Sequence, residues 1–300
     1  MRPVLDVHQL SRRYADRLVL DAVSFQVAAG EIHGLLGPNG AGKTTALECA
    51  EGLRKPDSGD ITFLGERVRH GRVPAGMGVQ LQVGGLPGAM TVEEALRFVS
   101  AYKRAPPRPG IVVRLGLAGL EKRPYQQLSV GQQRRLQLAL AIAHQPALLI
   151  LDEPTAGLDV ATRTQLHALL AELKSEGTAI ILATHDMAEA EKLADQLTVL
   201  IAGRVATHGT PREITRQGDQ RTRIAVRTTA GGEEKWRTLP AATLQPSKDG
   251  YAVFLSDDPA VSVRALLDEV ARTTDSLVDL RVERPSLEER FLELTRREAP

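Results

Sequence analysis

The 300-residue sequence is long enough for about two domains that each bury a hydrophobic core. Its formal net charge of +1 argues against a nucleic-acid protein with a broad basic surface, and the single cysteine, Cys49, excludes an intramolecular disulfide. No apolar run approaches the roughly 18 residues of a membrane span, and the N-terminus does not resemble a signal peptide. We therefore expect a soluble, cytoplasmic chain whose membrane role depends on a partner.

The N-terminal part of the chain is predicted to be rich in strands. Residues 4–10 alternate apolar and polar side chains, residues 18–27 continue as one or two strands, and residues 32–36 form a short apolar strand. Strands in this order, ahead of a glycine-rich segment, predict an antiparallel sheet packed beside an α/β core.

The glycine-rich segment after the third strand fits the pattern G-x-x-x-x-G-K-[ST]. It consists of Gly37, Pro38, Asn39, Gly40, Ala41, Gly42, Lys43, Thr44 and Thr45. Strand, glycine loop and a predicted helix over 45–53 together predict a phosphate-binding loop. The glycines let backbone N–H groups point at phosphate oxygens, and the helix N-terminus adds its positive end. Lys43 is predicted to reach the β- and γ-phosphates, and the Thr44 hydroxyl to bind Mg²⁺.

The central part of the chain combines a helical insertion with further strands. A predicted strand over 78–82 ends at Gln82. Thr91 and Glu94 form a capping box that opens a helical insertion covering about residues 88–144. Continuous apolar strands then alternate with helices, which predicts a mostly parallel sheet. These strands cover residues 147–151, 179–183 and 197–201.

The sequence changes character after about residue 218. We predict a nucleotide-binding domain over 1–218 and a small C-terminal α+β domain over 219–300. Segments 229–235 and 246–250 are predicted to be turn-rich. The predicted strands cover 224–227, 251–255 and 277–282, and the helices cover 259–271 and a segment that begins at Ser286.

Two adjacent acids follow one of the apolar strands. Residues 147–151 lead directly into Asp152 and Glu153. In open α/β sheets, the carboxyl ends of the strands form the ligand-binding edge. Asp152 is therefore predicted to bind Mg²⁺, and Glu153 to polarise a water molecule. Two acids entering a loop are often only solvated, but the upstream phosphate-binding loop makes the functional interpretation the stronger one.

The segment Leu128-Ser129-Val130-Gly131-Gln132 precedes another predicted helix, for which Ser129 is an N-cap. It resembles the signature motif L-S-G-G-Q of ATP-binding cassette (ABC) ATPases. The resemblance extends over residues 4–209 and implies an α/β P-loop fold with an antiparallel β-subdomain and a helical signature subdomain. In the family the serine and the second glycine contact phosphate, so Ser129, Gly131 and Gln132 are expected to bind ATP. Val130 departs from the pattern.

Other positions match the same family. Gln82 is similar to the glutamine that contacts the metal and the membrane subunit, and Asp159 stands in a D-loop-like segment, Ala156-Gly157-Leu158-Asp159. His185 resembles the switch histidine that contacts the γ-phosphate, and Tyr14 the aromatic residue that stacks on adenine. A lone histidine or tyrosine is more often an ordinary polar or packing residue, but order and spacing favour the family roles.

The resemblance also implies a mechanism. Two copies of the chain would dimerise head to tail and enclose two ATP·Mg²⁺ between the glycine loop of one copy and Ser129 of the other. Lys43 would neutralise developing charge, Glu153 would activate water and His185 would hold the γ-phosphate. ATP binding would close the dimer and hydrolysis would reopen it.

The C-terminal segment 285–295 resembles the ending of ATPase subunits from ABC-2-type multidrug and antibiotic exporters. This implies export of a drug, antibiotic or lipid-like substrate through a separate integral-membrane ABC-2-type permease, at the cytoplasmic face of the cell membrane and without nucleic acid. Two alternatives remain open. One is a soluble ABC ATPase acting on nucleic acid or ribosomes, and the other is an ATP-binding regulatory module with little turnover, which Val130 would favour.

Overall fold

The structure is a computed structural model that describes residues 2–80, 85–103, 106–229, 239–248, 250–272 and 276–297. The chain divides into two compact units, Met1–Pro211 and Arg212–Pro300. The change in sequence character places the boundary slightly later, at residue 218. Among the described residues, no helix combines the length and the apolar character needed to cross a membrane.

The first unit alternates strands and helices along most of its length. In chain order its elements are β1 (Leu5–Tyr14), β2 (Arg17–Val27), β3 (Ile32–Leu36), α1 (Lys43–Ala50), β4 (Ser58–Phe63), β5 (Glu66–Arg67), β6 (Met77–Gln80), α2 (Val92–Lys103), α3 (Ile111–Arg114), α4 (Val130–Ile142), β7 (Leu148–Asp152), α5 (Val160–Ser175), β8 (Ala179–Thr184), α6 (Met187–Leu193), β9 (Gln196–Ile201) and β10 (Arg204–Gly209).

Two sheets form the framework of this unit. The first has the strand order β2-β1-β4-β5 and is antiparallel. The second has the order β10-β9-β3-β8-β7-β6, and all its neighbouring strands run parallel except β10 against β9. Both expectations, an antiparallel N-terminal sheet and a mostly parallel core, are confirmed.

The central strands of the parallel sheet are buried on both faces. Leu35, Ile150 and Ile181 point to a core shared with α1 and the antiparallel sheet. Leu149 and Leu182, which point the other way, pack with apolar side chains of α4 and α5. Burial on both faces explains why these strands are continuously apolar rather than alternating.

The insertion between β6 and β7 is helical, as predicted. It contains α2, α3, a short 3₁₀ helix at Tyr125–Gln127 and α4. The capping box at the start of α2 forms, because the Glu94 N–H donates to Thr91 Oγ1 at 3.2 Å and the Thr91 N–H donates to the Glu94 carboxylate at 2.8 Å. A single β-bridge joins Thr91 to Pro124.

The second unit is a four-stranded antiparallel sheet with helices. Its elements are β11 (Thr222–Thr228), β12 (Ala242–Lys248), β13 (Tyr251–Ser256), α8 (Pro259–Arg272), β14 (Leu277–Glu283) and α9 (Leu287–Arg297), preceded by α7 (Pro211–Arg216) at the boundary. The sheet order is β12-β13-β11-β14. Leu266 of α8 packs with Ile224, Val226 and Phe254, which form the core on one sheet face.

One local prediction in this unit is correct only at its end. The segment 246–250 was expected to be turn-rich, but β12 continues through Pro246 to Lys248, and Gly250, with φ +77°, lies in a turn. Proline is tolerated there because β12 is an edge strand with a register shift between Gln245 and Lys248. Of the other turn-rich segment, 229–235, all but Thr229 lies outside the described residues. Short elements, namely β10, α6 and α7, were not predicted because they are too brief to show a periodic pattern.

Candidate functional site

The glycine loop between β3 and α1 has a backbone that only glycine fits at two positions. Gly42 has φ +105°, and a Cβ placed there would lie 2.8 Å from the Val19 carbonyl oxygen. A Cβ at Gly37 would lie 2.4 Å from the Leu200 carbonyl oxygen. The Ala41 N–H closes the loop onto the Pro38 carbonyl at 3.1 Å. The loop is therefore packed closely against neighbouring backbone, and α1 begins directly after it.

Lys43 is the first residue of α1 and is buried. Its ammonium donates to the carbonyl oxygens of Gly37, at 2.7 Å, and Pro38, at 3.1 Å. Burial lowers the pKa of Lys43, while the nearby charges of Glu153 and Asp152 oppose that shift. The cation thus lies inside the curve of the loop, where a phosphate group would meet it.

Thr44 and Asp152 join the loop to the end of β7. The Thr44 Oγ1 donates to Asp152 Oδ2 at 2.8 Å. Burial raises the pKa of Asp152, the Thr44 hydrogen bond lowers it, and the charge of Glu153 adds to the increase. A hydroxyl and a carboxylate brought together by two distant segments form a pair of hard oxygen ligands suited to Mg²⁺.

Glu153 and His185 form a second pair at the same edge. The Glu153 Oε1 and the His185 Nδ1 lie 2.9 Å apart. The Glu153 backbone has φ +49°, and its N–H donates to the Ala183 carbonyl at 2.9 Å. Because β7 and β8 are adjacent parallel strands, their carboxyl ends bring these two side chains together. The structure therefore unites Lys43, Thr44, Asp152, Glu153 and His185 at one sheet edge.

Ser129 is not part of that cluster. It caps α4 through a complete capping box, in which its Oγ accepts from the Gln132 N–H at 3.3 Å and the Gln132 Oε1 accepts from the Ser129 N–H at 2.9 Å. Val130 is 63% exposed, and a Cβ at Gly131 would meet no atom within 4 Å. The predicted signature segment is thus an ordered turn displayed at the surface.

Asp159 and Tyr14 have local partners of their own. The Asp159 carboxylate caps α5 by accepting from the N–H and the hydroxyl of Thr162, and these bonds lower its pKa. The guanidinium carbons of Arg12 and Arg54 lie 5.0 and 5.2 Å from the centre of the Tyr14 ring. Neither arginine is predictable from the sequence, because no local pattern pairs Arg54 with a strand so far upstream.

Gln82, expected as a metal and permease contact, lies outside the described residues. Gln80 is the last described residue before it and is buried at the end of β6. The strand that leads to Gln82 pairs with β7, whose end carries Asp152. The role of Gln82 stays a prediction from the sequence.

The residues of the sheet edge fit the groups that the sequence predicts. The glycine loop offers close-packed backbone with no room for side chains at Gly37 and Gly42, which suits a nucleotide's phosphates. Thr44 and Asp152 offer two oxygen ligands at the same point. This suits Mg²⁺, which commonly takes one or two protein ligands together with water and substrate phosphates.

This arrangement defines a class of protein. A parallel sheet, a glycine loop leading into a helix, and an acidic strand end bonded to the loop threonine define a P-loop nucleoside triphosphatase. Within that class, the model of the ABC transporter family matches residues 20–156.

Known proteins similar to this chain belong to the same family. Over 306 aligned positions the chain is 37% identical to the Nod factor export ATP-binding protein I of Rhizobium meliloti, with 98% of this chain and 88% of that protein covered. It is 41% identical over 217 residues to the protein of the same name from Burkholderia orbicola (strain AU 1054), with coverage of 69% and 71%.

A solved structure of the ATP-binding subunit of an ABC transporter is similar as well. It shares 31% identity and a TM-score of 0.65, over 71% of this chain and 92% of that one. The chain therefore belongs to the ABC transporter family, as an ATP-binding subunit with ATPase activity.

Proposed function

We propose that the chain powers export across a membrane as the ATPase subunit of an ABC exporter. The observation that carries the catalytic part is the convergence of two pairs, Thr44 with Asp152 and Glu153 with His185, at the ends of neighbouring strands. The exporter part is supported by the Rhizobium meliloti export protein, which aligns with 98% of this chain and so includes the second unit.

Each residue at the sheet edge has a distinct proposed task. Loop N–H groups and Lys43 would hold the phosphates of ATP, and Thr44 with Asp152 would hold Mg²⁺, which supplies charge neutralisation on phosphate oxygens. Glu153 would accept a proton from the attacking water. His185 would use Nδ1 to orient Glu153 and would present its other ring nitrogen, on a side chain that is 55% exposed, to the γ-phosphate.

The active form is proposed to be a head-to-tail homodimer. The exposed hydroxyl of Ser129 and the turn through Gly131 would complete the ATP site of the second copy, with Gln132 and Asp159 beside them. The support is that this turn is ordered by its own capping box, yet remains at the surface. A site divided in this way couples ATP binding to dimer closure and hydrolysis to reopening.

The proposed partner is an integral-membrane permease of the ABC-2 type, which would hold the chain at the cytoplasmic face of the membrane. Gln82 and the helices after it would transmit the nucleotide state to that partner. The exported molecule would be a drug, antibiotic or lipid-like compound that contacts the permease. Tyr14 is proposed to stack on adenine beside Arg12 and Arg54.

The catalytic proposal is tested by Glu153→Gln, which keeps the size of the side chain and removes its basicity. We expect ATP binding to persist, a closed dimer to accumulate, and phosphate release to fall about 10²- to 10⁴-fold. Glu93→Gln is the control, because Glu93 forms a surface ion pair with Arg97 on α2. Unchanged turnover in Glu153→Gln would refute the role given to Glu153.

The export proposal is tested by affinity purification from detergent-solubilised membranes of the native host. We expect an integral-membrane protein to co-purify in a fixed ratio to the chain, and ATP turnover to change when it is bound. Recovery of ribosomes or DNA in its place would overturn export and favour the soluble ABC ATPase.

A further inference from the structure

The two edges of the C-terminal sheet differ in how well they are protected. At one edge, β12 contains Pro246 and a register shift, both of which hinder pairing with another strand. At the other edge, β14 contains no proline or glycine, and its pairing with β11 is regular from Asp279 to Glu283, with one register shift near its start, between Leu277 and Asp279. Two of its valines, Val278 and Val282, are about half exposed, at 50% and 49%. No described strand pairs with the outer side of β14, and a sheet edge with exposed apolar side chains is a template for a further strand.

The charges along β14 make it complementary to itself. Asp279, Arg281 and Glu283 alternate along one face of the strand. If two copies of β14 pair antiparallel with Leu280 opposite Leu280, then Asp279 of each copy lies opposite Arg281 of the other, and Val278 lies opposite Val282. A shift by two residues in one direction would place Asp279 opposite Asp279 of the other copy, and a shift in the other direction would place Arg281 opposite Arg281. Because like charges repel, charge selects the register centred on Leu280.

These charges are ordered within each chain before any association. The Tyr251 hydroxyl donates to Asp279 Oδ2 at 2.6 Å, and the Arg281 Nε donates to the same carboxylate at 2.9 Å. The guanidinium of Arg281 also lies 5.0 Å from the centre of the Tyr251 ring. Side chains held in place lose little freedom when a partner binds, which favours association.

We propose that β14 is a dimerisation strand whose partner is β14 of a second copy of this chain, giving a continuous eight-stranded sheet. Such a contact is isologous and has a two-fold axis, the symmetry of the head-to-tail dimer on which this inference builds. A strand of seven residues buries little area. Its effect is to keep two copies together between catalytic cycles and so raise the effective concentration for ATP-driven closure.

Disulfide trapping in the full-length chain tests the register. Val278→Cys and Val282→Cys are each purified, mixed without nucleotide or Mg²⁺, and oxidised mildly. The native Cys49 gives little background, because it is buried and burial raises its pKa to about 11. We expect a linked dimer in the mixture and little in either variant alone, since only the mixed pair lies opposite in this register. Thr243→Cys on β12 is the control for the protected edge.

Two results of this experiment would overturn the proposal. One is an absence of cross-links although both thiols react with a soluble reagent. The other is equal cross-linking by the single variants or by Thr243→Cys. Neither result bears on Glu153 or on the ATP site, so this proposal and the proposed function fail separately.

Charge reversal provides a second, reversible measurement. Arg281→Asp places acids opposite Asp279, and we expect nucleotide-free self-association, measured by analytical ultracentrifugation, to weaken about tenfold. The double variant Asp279→Arg/Arg281→Asp restores opposite charges and is expected to recover most of the association. Equal weakening by the single and the double variant would contradict the proposed register.

A different observation, inside the first unit, concerns a buried carboxylate. Glu189 on α6 is 3% exposed, accepts a hydrogen bond from Thr155 Oγ1 at 3.2 Å and lies 3.3 Å from His167 Nε2. Thr155 follows closely on Glu153, and Glu189 follows closely on His185. One buried group therefore joins the segment after the catalytic glutamate, the segment after the switch histidine, and α5.

The geometry points to Glu189 as a positioning residue for the Glu153–His185 pair, and this rests on the roles proposed for that pair. Glu153 has a left-handed backbone conformation, which its neighbours must stabilise. The bond from Thr155 to Glu189 ties the segment after Glu153 to the helix that follows His185. Small displacements of a catalytic pair reduce the rate steeply, so this tie affects hydrolysis more than ATP binding.

Two matched threonine variants test this role. Thr155→Val removes the bond to Glu189. Thr198→Val removes a bond of similar burial, the 2.9 Å contact between Thr198 on β9 and His33 on β3. We expect kcat to fall about tenfold in Thr155→Val with KM for ATP unchanged, and kcat to be unaffected in Thr198→Val. Glu189→Gln, whose amide oxygen can still accept from Thr155, should retain most of the activity.

Equal effects of the two threonine variants on kcat would overturn the positioning role, because they would reflect a general loss of stability. An effect confined to KM would do the same. If Glu153→Gln keeps full turnover, it is the proposed function that fails, which separates the two conclusions.

Discussion

The two helix N-termini proposed to bind ATP are built in opposite ways. The start of α1 is locked into the core, since Gly42 packs against the backbone at Val19 and Lys43 is buried. The start of α4 is stabilised by its own capping box, with Ser129 exposed and open space around Gly131. The glycine loop is thus held in place by the core of its own chain, whereas a locally capped turn at the surface is available to another molecule.

Alanine substitution of Gly42 and Gly131 is expected to give the largest difference in stability between the two helix starts. Gly42→Ala adds a Cβ that meets Leu20 Cδ2 at 2.7 Å and Val19 O at 2.8 Å, at φ +105°. We expect a loss of about 3 kcal/mol in the free energy of unfolding, together with loss of ATP binding. The Cβ added by Gly131→Ala has no atom within 4 Å. The free energy of unfolding of this variant, measured in urea, should therefore stay within about 0.5 kcal/mol of the parent value. Similar losses would mean that the two helix starts are equally constrained.

Ser129→Ala tests whether the exposed turn belongs to the ATP site. We expect kcat to fall about 100-fold while a single chain binds ATP as before, because the donors lost belong to the other half of the site. Ser286→Ala removes a similar cap from α9, where the Glu289 N–H donates to Ser286 Oγ at 3.2 Å, and should leave kcat unchanged. Equal activity of the two variants would contradict the proposal that Ser129 contributes to the ATP site.

The far end of α1 offers a test of burial through pH. Glu51 is 1% exposed, neither of its carboxylate oxygens has a hydrogen-bond partner among the described residues, and burial raises its pKa from 4.5 to about 8. Below about pH 4.5 the Glu51 carboxyl is protonated in both the folded and the unfolded chain. Between about pH 4.5 and 8 only the unfolded chain releases this proton, so the free energy of unfolding falls as pH rises through that range. Glu51→Gln should therefore stabilise the chain by about 2 kcal/mol at pH 7 and hardly at pH 4. A pH-independent effect in thermal unfolding would contradict this.

The smallest effect is expected at Val130, the one departure from the signature pattern. Its side chain is 63% exposed, and the capping box of Ser129 and Gln132 forms around it. Restoring glycine should change the ATPase rate less than about threefold, because the backbone already has a helical start. A large gain in rate would instead show that the natural site is impaired and would favour the regulatory alternative.

Much of this site was predictable because its signals are local. The glycine loop, the apolar strand before Asp152 and the capping residues Thr91 and Ser129 each depend on residue types at short spacing, and the structure forms the expected element at each. The strand through Pro246 was not predictable, since an edge position cannot be read from neighbouring residues. The bond from Thr155 to Glu189 likewise joins segments whose sequences carry no mark of each other.

The sequence by itself determined that the chain is a P-loop ATPase of the ABC family, because the phosphate-binding loop and the signature turn require particular residues in a particular order. Tertiary structure alone decided which side chains meet. It placed β3, β7 and β8 side by side, so that Thr44 reaches Asp152 and Glu153 reaches His185. Among the described strands, it also left β14 at the edge of its sheet. Those outcomes depend on the order of strands in a sheet, which is set by packing over the whole unit rather than by any local pattern.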